Sequence, residues 1–267
     1  MFKFISFGSG SSGNCYYLFT DKGGVLIDAG IGVRMLKKYF DQYGLKMCDV
    51  RAILITHDHA DHVKSVGTLS HDLNLPVYAT SKVHRGIDNN YIVHNKVSIA
   101  SRRFINAGDK FEIYGLDITP ITVPHDSSDN VGYCIKYDGI VFSLITDAGH
   151  VTEEMARLIS STNYLVFESN HEVEKLMNGR YPEYLKKRIL SEIGHLSNED
   201  CGKALLDYAT PSLQRVWLCH LSYDNNDPEL ARYTVEGILR SGGIVPGKDF
   251  TLDILKRKTP SEIFDLT

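Results

Sequence analysis

The sequence predicts a domain of the α/β (α+β) class in which helices flank two β-sheets. Short apolar runs alternate along the chain with segments of helical spacing, and the middle of the chain is rich in strand patterns. The chain has 267 residues, of which 43% are hydrophobic and 23% charged, as in an ordinary globular protein with a sizeable core. No linker, repeat or low-complexity segment interrupts it, so we expect a single domain over residues 1–267.

The elements follow from the spacing of the apolar residues. Continuous or alternating apolar runs predict strands near 2–7, 15–20, 23–28, 52–55, 75–79, 132–137, 140–147, 164–169 and 215–220, and two strands around Tyr114-Gly115 within 110–125. A strand at 250–255 is expected to be the last in the chain. The helical spacing of Val33, Leu36, Phe40 and Tyr43 predicts a helix near 31–43. Further helices are predicted near 81–89, 151–161 and 228–240, together with helical segments up to residue 190 and a helix after Ser197. Asp138-Gly139 is the strongest hairpin signal, and the GSGSSGN segment at 8–14 is a turn by its chemistry.

Composition restricts the class of protein. The formal net charge is −4, so no global basic field indicates nucleic acid, although a local basic patch is compatible with this total. The five cysteines are dispersed without a CxxC pair, which is typical of reduced thiols. The amino-terminal residues lack the apolar core of a signal peptide, and no run reaches the ~18 apolar residues of a membrane helix. We therefore expect a cytoplasmic protein without membrane contacts.

The segment THDHADH, from Thr56 to His62, is the most informative in the chain. It places four potential metal ligands, His57, His59, Asp61 and His62, directly after an apolar strand. If the extended form continues, alternation puts the first three on one side, and His62 would begin the next helix. A plain polar loop is the alternative, but the density of ligands favours a metal site.

Three further ligand types stand at the ends of apolar strands, namely His125, Asp147 and His220. Several strands that end in such residues are what one metal pocket at a sheet edge requires. Imidazole and carboxylate ligands suit zinc, manganese or iron, so the sequence does not select the metal. The histidines at 71, 84 and 94 lack partner spacing and are expected at the surface or in the core. Cys219 is expected in the core, and His150 is left open.

The order HxHxDH, followed by a single His, a single Asp and a single His, resembles the metallo-β-lactamase superfamily over nearly the whole chain. The resemblance implies a four-layer αβ/βα sandwich with two divalent metal ions at the sheet edges. It implies that the first metal is held by His57, His59 and His125, and the second by Asp61, His62 and His220. Asp147 would bridge the two metals, and a hydroxide shared between them, held also by Asp61, would be the nucleophile.

The segment GHLSNED, residues 194–200, favours phosphodiester substrates. Ser197 and Asp200 have the spacing of a capping box, and a helix start attracts anions. His195 stands just before it, in a segment that resembles the GHST-like loop of the ribonuclease Z branch, where this histidine helps to protonate the leaving group. Glu168, in FESNHE, resembles the glutamate that orients it. A plain cap with a passive histidine is the alternative, and the role of His171 is left open.

GSGSSGNCYYL and ESNHE together resemble the YycJ (WalJ) group of bacterial exonucleases, which implies a 5′-to-3′ DNA exonuclease. The 72 residues between Asp147 and His220 leave no room for a β-CASP insertion. The basic segments Lys186–Arg188 and Arg102-Arg103 are candidate phosphate contacts, with solvated charges the favoured alternative. A small ester, thiolester or lactone hydrolase remains the rival activity, and a regulatory metal-binding scaffold the rival of another class. The oligomeric state is left open.

Overall fold

The computed structural model describes all 267 residues. It contains the strands β1 (Phe2–Gly8), β2 (Cys15–Thr20), β3 (Gly23–Ile27), β4 (Val50–Leu54), β5 (Val77–Ala79), β6 (Arg102–Phe104), β7 (Phe111–Ile113), β8 (Leu116–Thr122), β9 (Val131–Tyr137), β10 (Ile140–Ile145), β11 (Tyr164–Glu168), β12 (Arg215–Cys219), β13 (Thr251–Ile254) and β14 (Phe264–Asp265). The helices are α1 (Val33–Gln42), α2 (Ala60–Val63), α3 (Val66–Leu73), α4 (Ser81–Asn89), α5 (Glu153–Ser161), α6 (Val173–Met177), α7 (Glu183–Ile189), α8 (Asn198–Tyr208) and α9 (Pro228–Ser241). No helix combines the length and hydrophobicity of a membrane span.

The first sheet has the strand order β14-β1-β2-β3-β4-β5-β6. Strands β14, β1, β2 and β3 pair in antiparallel fashion, whereas β3, β4, β5 and β6 are parallel. Parallel neighbours need crossover connections, and helices α1 to α4 lie in these connections. The carboxyl ends of β3 and β4 therefore lie at the same edge, where Asp28 and the segment from Thr56 follow.

The second sheet has the order β13-β12-β11-β10-β9-β8-β7. Strands β10 to β13 are parallel, and helices α5 to α9 connect them. Strands β9 and β10 form the hairpin that the sequence predicts at Asp138-Gly139, where both residues have positive φ, 48° and 79°. The parallel strands β10, β11 and β12 thus deliver Asp147, Glu168 and His220 to one sheet edge.

Residue contacts divide the chain into two compact units. Unit 1 comprises 1–120, 127–131 and 256–267, and unit 2 comprises 121–126 and 132–255. The first sheet lies in unit 1, and strands β10 to β13 lie in unit 2. Each unit has its own hydrophobic core: aromatic residues such as Phe7, Tyr17 and Phe40 in unit 1, and branched residues such as Val216 and Leu218 in unit 2. A single domain over 1–267 stays a prediction.

The structure differs from the sequence expectations in three places. The segment near 250–255 does form strand β13, but β14 follows it and pairs with β1, so β13 is not the last strand of the chain. Helix α3 and strand β6 were not expected, and the Arg102-Arg103 pair belongs to β6. The extended form after β4 ends sooner than expected, because helix α2 begins at Ala60 rather than at His62.

Candidate metal centre and catalytic histidine

Unit 1 carries the four ligand candidates of the THDHADH segment. His57 and His59 lie in the extended segment after β4, whereas Asp61 and His62 lie in α2, which turns them back toward the other two. The ring of His57 lies 4.6 Å from that of His59 and 4.1 Å from that of His62, centroid to centroid. The Nε2 atom of His62 lies 3.6 Å from Oδ2 of Asp61. The helical turn, and not strand alternation, therefore groups these four side chains.

Asp28 supports this group from beneath, and it was missed as a site residue. It is fully buried at the end of β3, and its carboxylate accepts hydrogen bonds from the Thr56 backbone N–H (2.9 Å), the Thr56 hydroxyl (2.9 Å) and Nδ1 of His62 (2.7 Å). Burial raises the pKa of this carboxyl, and the imidazole of His62 opposes that shift. The signal was present, because the sequence places Asp28 at the end of an apolar strand, like the other candidates.

Asp58, the residue between the first two histidines, faces another part of unit 1. Its carboxylate accepts hydrogen bonds from the backbone N–H (3.1 Å) and the hydroxyl (2.6 Å) of Ser128. A Cβ atom at Gly86 would lie 1.9 Å from Oδ2 of Asp58, so glycine is needed there. Asp58 thus fixes the ligand-bearing segment without being grouped with the ligands.

Unit 2 groups the remaining site candidates. One ligand atom each from Asp147, Glu168, His195 and His220 lies within 4.8 Å of the others. Oδ1 of Asp147 lies 3.5 Å from Nε2 of His220 and 3.8 Å from Nε2 of His125. All five side chains are buried except that of His195, which is 15% exposed. The sequence expectation that strand ends converge holds for this unit.

Three of the strand-end residues adopt a backbone conformation that is unusual for anything but glycine. Asp28, Asp147 and His220 have φ values of 62°, 53° and 55°, in the left-handed region. Such residues cost of order 1–3 kcal/mol each and cluster at functional sites. They follow β3, β10 and β12, so the same turn aims a polar side chain at the carboxyl edge of each strand.

The histidines are oriented as metal-ligating histidines usually are. His62 and His125 donate from Nδ1 to Asp28 (2.7 Å) and to the carbonyl oxygen of Gly194 (2.9 Å). Nδ1 of His57 lies 3.0 Å from the Thr56 hydroxyl, which itself donates to Asp28 and so accepts from the ring. In each case Nδ1 carries the ring proton, so Nε2 is the unprotonated nitrogen that could bind a metal. The donor set, all imidazole nitrogen and carboxylate oxygen, fits divalent zinc, manganese or iron.

Glu168 contacts both histidines of the group formed by Asp147, Glu168, His195 and His220. It is fully buried, and Oε1 lies 2.7 Å from Nδ1 of His195 and 3.3 Å from Nδ1 of His220. Oε2 accepts from the backbone N–H groups of Ala148 (2.7 Å) and Leu196 (3.3 Å). Burial alone would raise the pKa of this carboxyl, but the charge and hydrogen bond of His195 and the hydrogen bond of His220 lower it to about 2. A charged Glu168 therefore holds His195 with its Nε2 directed away.

The helix start after His195 is less open to anions than the sequence indicates. Ser197 is the N-cap of α8, as expected, and accepts from the Asp200 N–H at 3.0 Å. The Ser197 hydroxyl also donates to the Asp200 carboxylate at 2.6 Å, and Glu199 adds a second negative charge in the first turn. The cap is thus satisfied internally, and the argument for phosphate depends on His195 rather than on the helix dipole.

Two neighbours of Glu168 add to this region. The Asn170 amide donates to the carbonyl oxygen of His220 at 2.8 Å, which fixes the turn that bears this ligand candidate. His171 is 1% exposed, its ring nitrogens have no hydrogen-bond partner, and burial lowers its pKa to about 4. His171 also forms a backbone bridge with Ser197.

The other candidates lie outside the two groups. Lys186 is 7% exposed and donates to the carbonyl oxygen of Met177, and Arg188 is paired with Asp126. Arg102 binds Asp88 through two hydrogen bonds of 2.8 Å. These contacts favour structural roles over phosphate contacts. The expected surface or core positions hold for His71, His84, His94 and Cys219, and His150 is exposed and donates to the carbonyl oxygen of Glu192.

The chain is similar in sequence and in fold to known proteins. A model of the β-lactamase superfamily domain matches residues 24–221. The chain is 37% identical over 255 residues to the exodeoxyribonuclease YycJ of Bacillus anthracis, which covers 96% of both chains. Zinc-bound PqqB from Methylobacterium extorquens has a TM-score of 0.74 at 16% identity, covering 97% of this chain and 99% of PqqB. The metallo-β-lactamase fold protein YhfI from Bacillus subtilis has a TM-score of 0.71 at 14% identity, covering 98% of this chain and 100% of YhfI.

These likenesses extend over nearly the whole chain, and they confirm the predicted fold class, an α/β sandwich of two sheets with helices. They also confirm the prediction that the chain is a metal-dependent hydrolase. The chain therefore belongs to the β-lactamase superfamily and has the metallo-β-lactamase fold.

Proposed function

We propose that this chain is a dinuclear metal-dependent phosphodiesterase that degrades DNA as a 5′-to-3′ exonuclease. The observation that carries the proposal is the pair formed by His195 and Glu168, which stands beside the ligand candidates Asp147 and His220 without being needed as a ligand. A hydrolase of small esters needs the metals but has no use for this additional acid. The identity of 37% to an exodeoxyribonuclease supports the same substrate class.

In this proposal the protein holds one dinuclear metal centre. Its seven ligands are His57, His59, Asp61, His62, His125, Asp147 and His220. When bound, the two metals, whether zinc, manganese or iron, would supply Lewis acidity and a water nucleophile that is activated at neutral pH. The residues Asp28, Thr56 and Glu168 hold the ligand imidazoles in the tautomer that exposes Nε2.

Three residues act on the reaction itself. Asp61 is both a ligand and the group that orients the attacking water. His195 donates a proton from Nε2 to the leaving oxygen of the phosphodiester. Glu168 accepts the hydrogen bond from Nδ1 of His195 at 2.7 Å and so fixes the direction in which Nε2 points. A positioned acid of this kind contributes about 10²–10⁴-fold to a rate.

Two further features belong to the proposal. We expect one catalytic domain over residues 1–267, without a β-CASP insertion, so that the faces beside the site must bind the DNA. We also expect the protein in the cytoplasm, in keeping with a nucleic-acid substrate.

The test is a cleavage assay with single- and double-stranded DNA and RNA that are labelled at the 5′ or the 3′ end, with manganese and zinc in turn. We expect stepwise release of nucleotides from the 5′ end of DNA. Release from the 3′ end or internal cuts would contradict the polarity, and preference for RNA would contradict the substrate. A thiolester and a lactone are assayed in parallel. Turnover of the thiolester or lactone alone would show that the protein is a hydrolase of small molecules and not a nuclease. Metal binding without any turnover would favour a regulatory metal-binding scaffold.

A further inference from the structure

The GSGSSGN loop between β1 and β2 ends in Asn14, a fully buried residue in contact with two of the ligand candidates. Its amide nitrogen Nδ2 lies 2.9 Å from Nε2 of His62 and 3.3 Å from Oδ2 of Asp61. We propose that Asn14 is a positioning residue that occupies the ligating nitrogen of His62 in the metal-free protein and holds the Asp61 carboxylate when metal binds. The inference rests on the proposed function, because it assumes that Asp61 and His62 are metal ligands.

The orientation of the Asn14 amide is fixed by Gly10. The Gly10 backbone N–H donates to Oδ1 at 2.7 Å, and Nδ2 donates to the Gly10 carbonyl oxygen at 3.2 Å. If the amide were turned over, its NH₂ group would face the Gly10 N–H and its oxygen would face the Gly10 carbonyl oxygen, so both bonds would be lost. The group directed at Asp61 and His62 is therefore the NH₂ donor, and Asn14 is not itself a ligand.

The backbone holds Asn14 at a fixed distance from Asp61. The Asn14 N–H donates to the Asp61 carbonyl oxygen at 2.8 Å, and the Gly30 N–H donates to the Asn14 carbonyl oxygen at 2.8 Å. A Cβ atom at Gly30 would lie 1.6 Å from the Asp61 carbonyl oxygen, so only glycine permits this approach. The loop and helix α2 thus form one rigid assembly, which can place a donor accurately.

The tautomer of His62 decides which ring nitrogen Asn14 contacts, and that nitrogen is the one available to a metal. Nδ1 of His62 donates to Asp28, so Nε2 carries the lone pair that a metal would take. Without metal, the Asn14 N–H occupies that lone pair. If a metal bound Nε2 of His62, the Asn14 N–H would donate to Oδ2 of Asp61 instead and would orient this carboxylate. Partners of this kind change metal affinity by about 10–100-fold when they are removed.

Calorimetric titration of the full-length, metal-stripped protein with Mn²⁺ tests the proposal. We expect Asn14→Ala to weaken one of the two binding steps by about tenfold or more and to leave the other unchanged. The matched control is Asn90→Ala, because the Asn90 amide also bonds the ligand-bearing segment, at the Asp58 carbonyl oxygen (2.9 Å), but contacts no ligand side chain. Unchanged or tighter binding in Asn14→Ala, or equal weakening in both variants, overturns the proposal.

A second measurement needs no variant and covers the case in which Asn14→Ala does not fold. In ¹⁵N NMR spectra of the metal-free wild-type protein, we expect scalar coupling across the hydrogen bond between Nδ2 of Asn14 and Nε2 of His62. Addition of Zn²⁺ to saturation should abolish it. Absence of the coupling, or its survival with bound metal, overturns the inference while leaving the nuclease proposal intact. A wild-type protein that binds no metal would instead overturn the proposed function, and this inference with it.

Discussion

Replacing Glu168 by Gln preserves the size of a buried side chain but removes its charge and one of its two acceptor oxygens. In the wild-type protein, Oε1 faces the Nδ1 atoms of His195 (2.7 Å) and His220 (3.3 Å), and Oε2 faces the backbone N–H groups of Ala148 (2.7 Å) and Leu196 (3.3 Å). Whichever way the new amide turns, its NH₂ group meets two N–H groups. We therefore expect two charge-assisted hydrogen bonds to be lost.

The magnitude follows from the pKa of Glu168, which is about 2 in the folded protein against an ordinary value of 4.5. At about 1.4 kcal/mol for each pKa unit, the charged form is stabilised by about 3 kcal/mol. The loss of two hydrogen bonds to a charged group, at about 1.5–3 kcal/mol each, gives a destabilisation of the same order of magnitude. Because the folded pKa is depressed, this stabilisation is complete above pH 4.5 and disappears as the pH falls through about 2.

Turnover should fall as well, since an NH₂ group opposite Nδ1 of His195 meets the ring N–H and turns the ring, with its Nε2, away from the substrate. We expect Glu168→Gln to lose about 10²–10⁴-fold in kcat on 5′-labelled DNA. Urea unfolding of the metal-free protein at pH 7 and near pH 2 measures the stability difference, which should be present at the first pH and absent at the second.

The control is Glu172→Gln. The Glu172 carboxylate also accepts two hydrogen bonds, from the Asn198 amide (2.9 Å) and the Thr234 hydroxyl (2.9 Å), but it accepts none from a histidine. We expect it to lose stability and keep its turnover. A Glu168→Gln protein with wild-type turnover, or with a stability difference that is independent of pH, would refute the reasoning.

Two further predictions concern the support of the unit 1 ligands. Asp28→Asn removes the carboxylate that holds His62 at 2.7 Å, so metal affinity measured by calorimetry should fall about 10–100-fold, and an unchanged affinity would show that the tautomer of His62 is set elsewhere. Gly30→Ala forces a Cβ atom to within 1.6 Å of the Asp61 carbonyl oxygen. The backbone must move, so the free energy of unfolding should fall by more than about 2 kcal/mol. A urea midpoint equal to that of the wild-type protein would contradict this packing.

The candidate ligands could be predicted from the sequence because the sheet topology brings strand ends together. Parallel strands present their carboxyl ends at one edge, so a polar residue directly after an apolar run marks that edge, as at Asp147 and His220. The same signal was present at Asp28 but was not used. The local turn after β4 was harder to predict, because a short helix that starts at Ala60 competes with continued extension.

Residues whose role depends on a contact distant in sequence could not be found in this way. Asn14 stands in a turn-like segment, and only its approach to Asp61, 47 residues later, gives its amide a function. Arg188 looks like part of an exposed basic run, but Asp126 lies 62 residues before it and neutralises it. The spacing of residues in the sequence predicts helices, strands and turns. The contacts of Asn14 and Arg188 depend instead on how distant segments pack within each unit.

The central claim is that His195 acts on the substrate while the ligand set holds the metals without it. The most direct measurement is metal content together with 5′-labelled DNA cleavage in His195→Ala and the wild-type protein. The account predicts two metals for each protein and a rate lower by about 10²-fold or more in the variant. Loss of metal in the variant would make His195 a ligand, and full activity with both metals present would leave it without a part in the reaction.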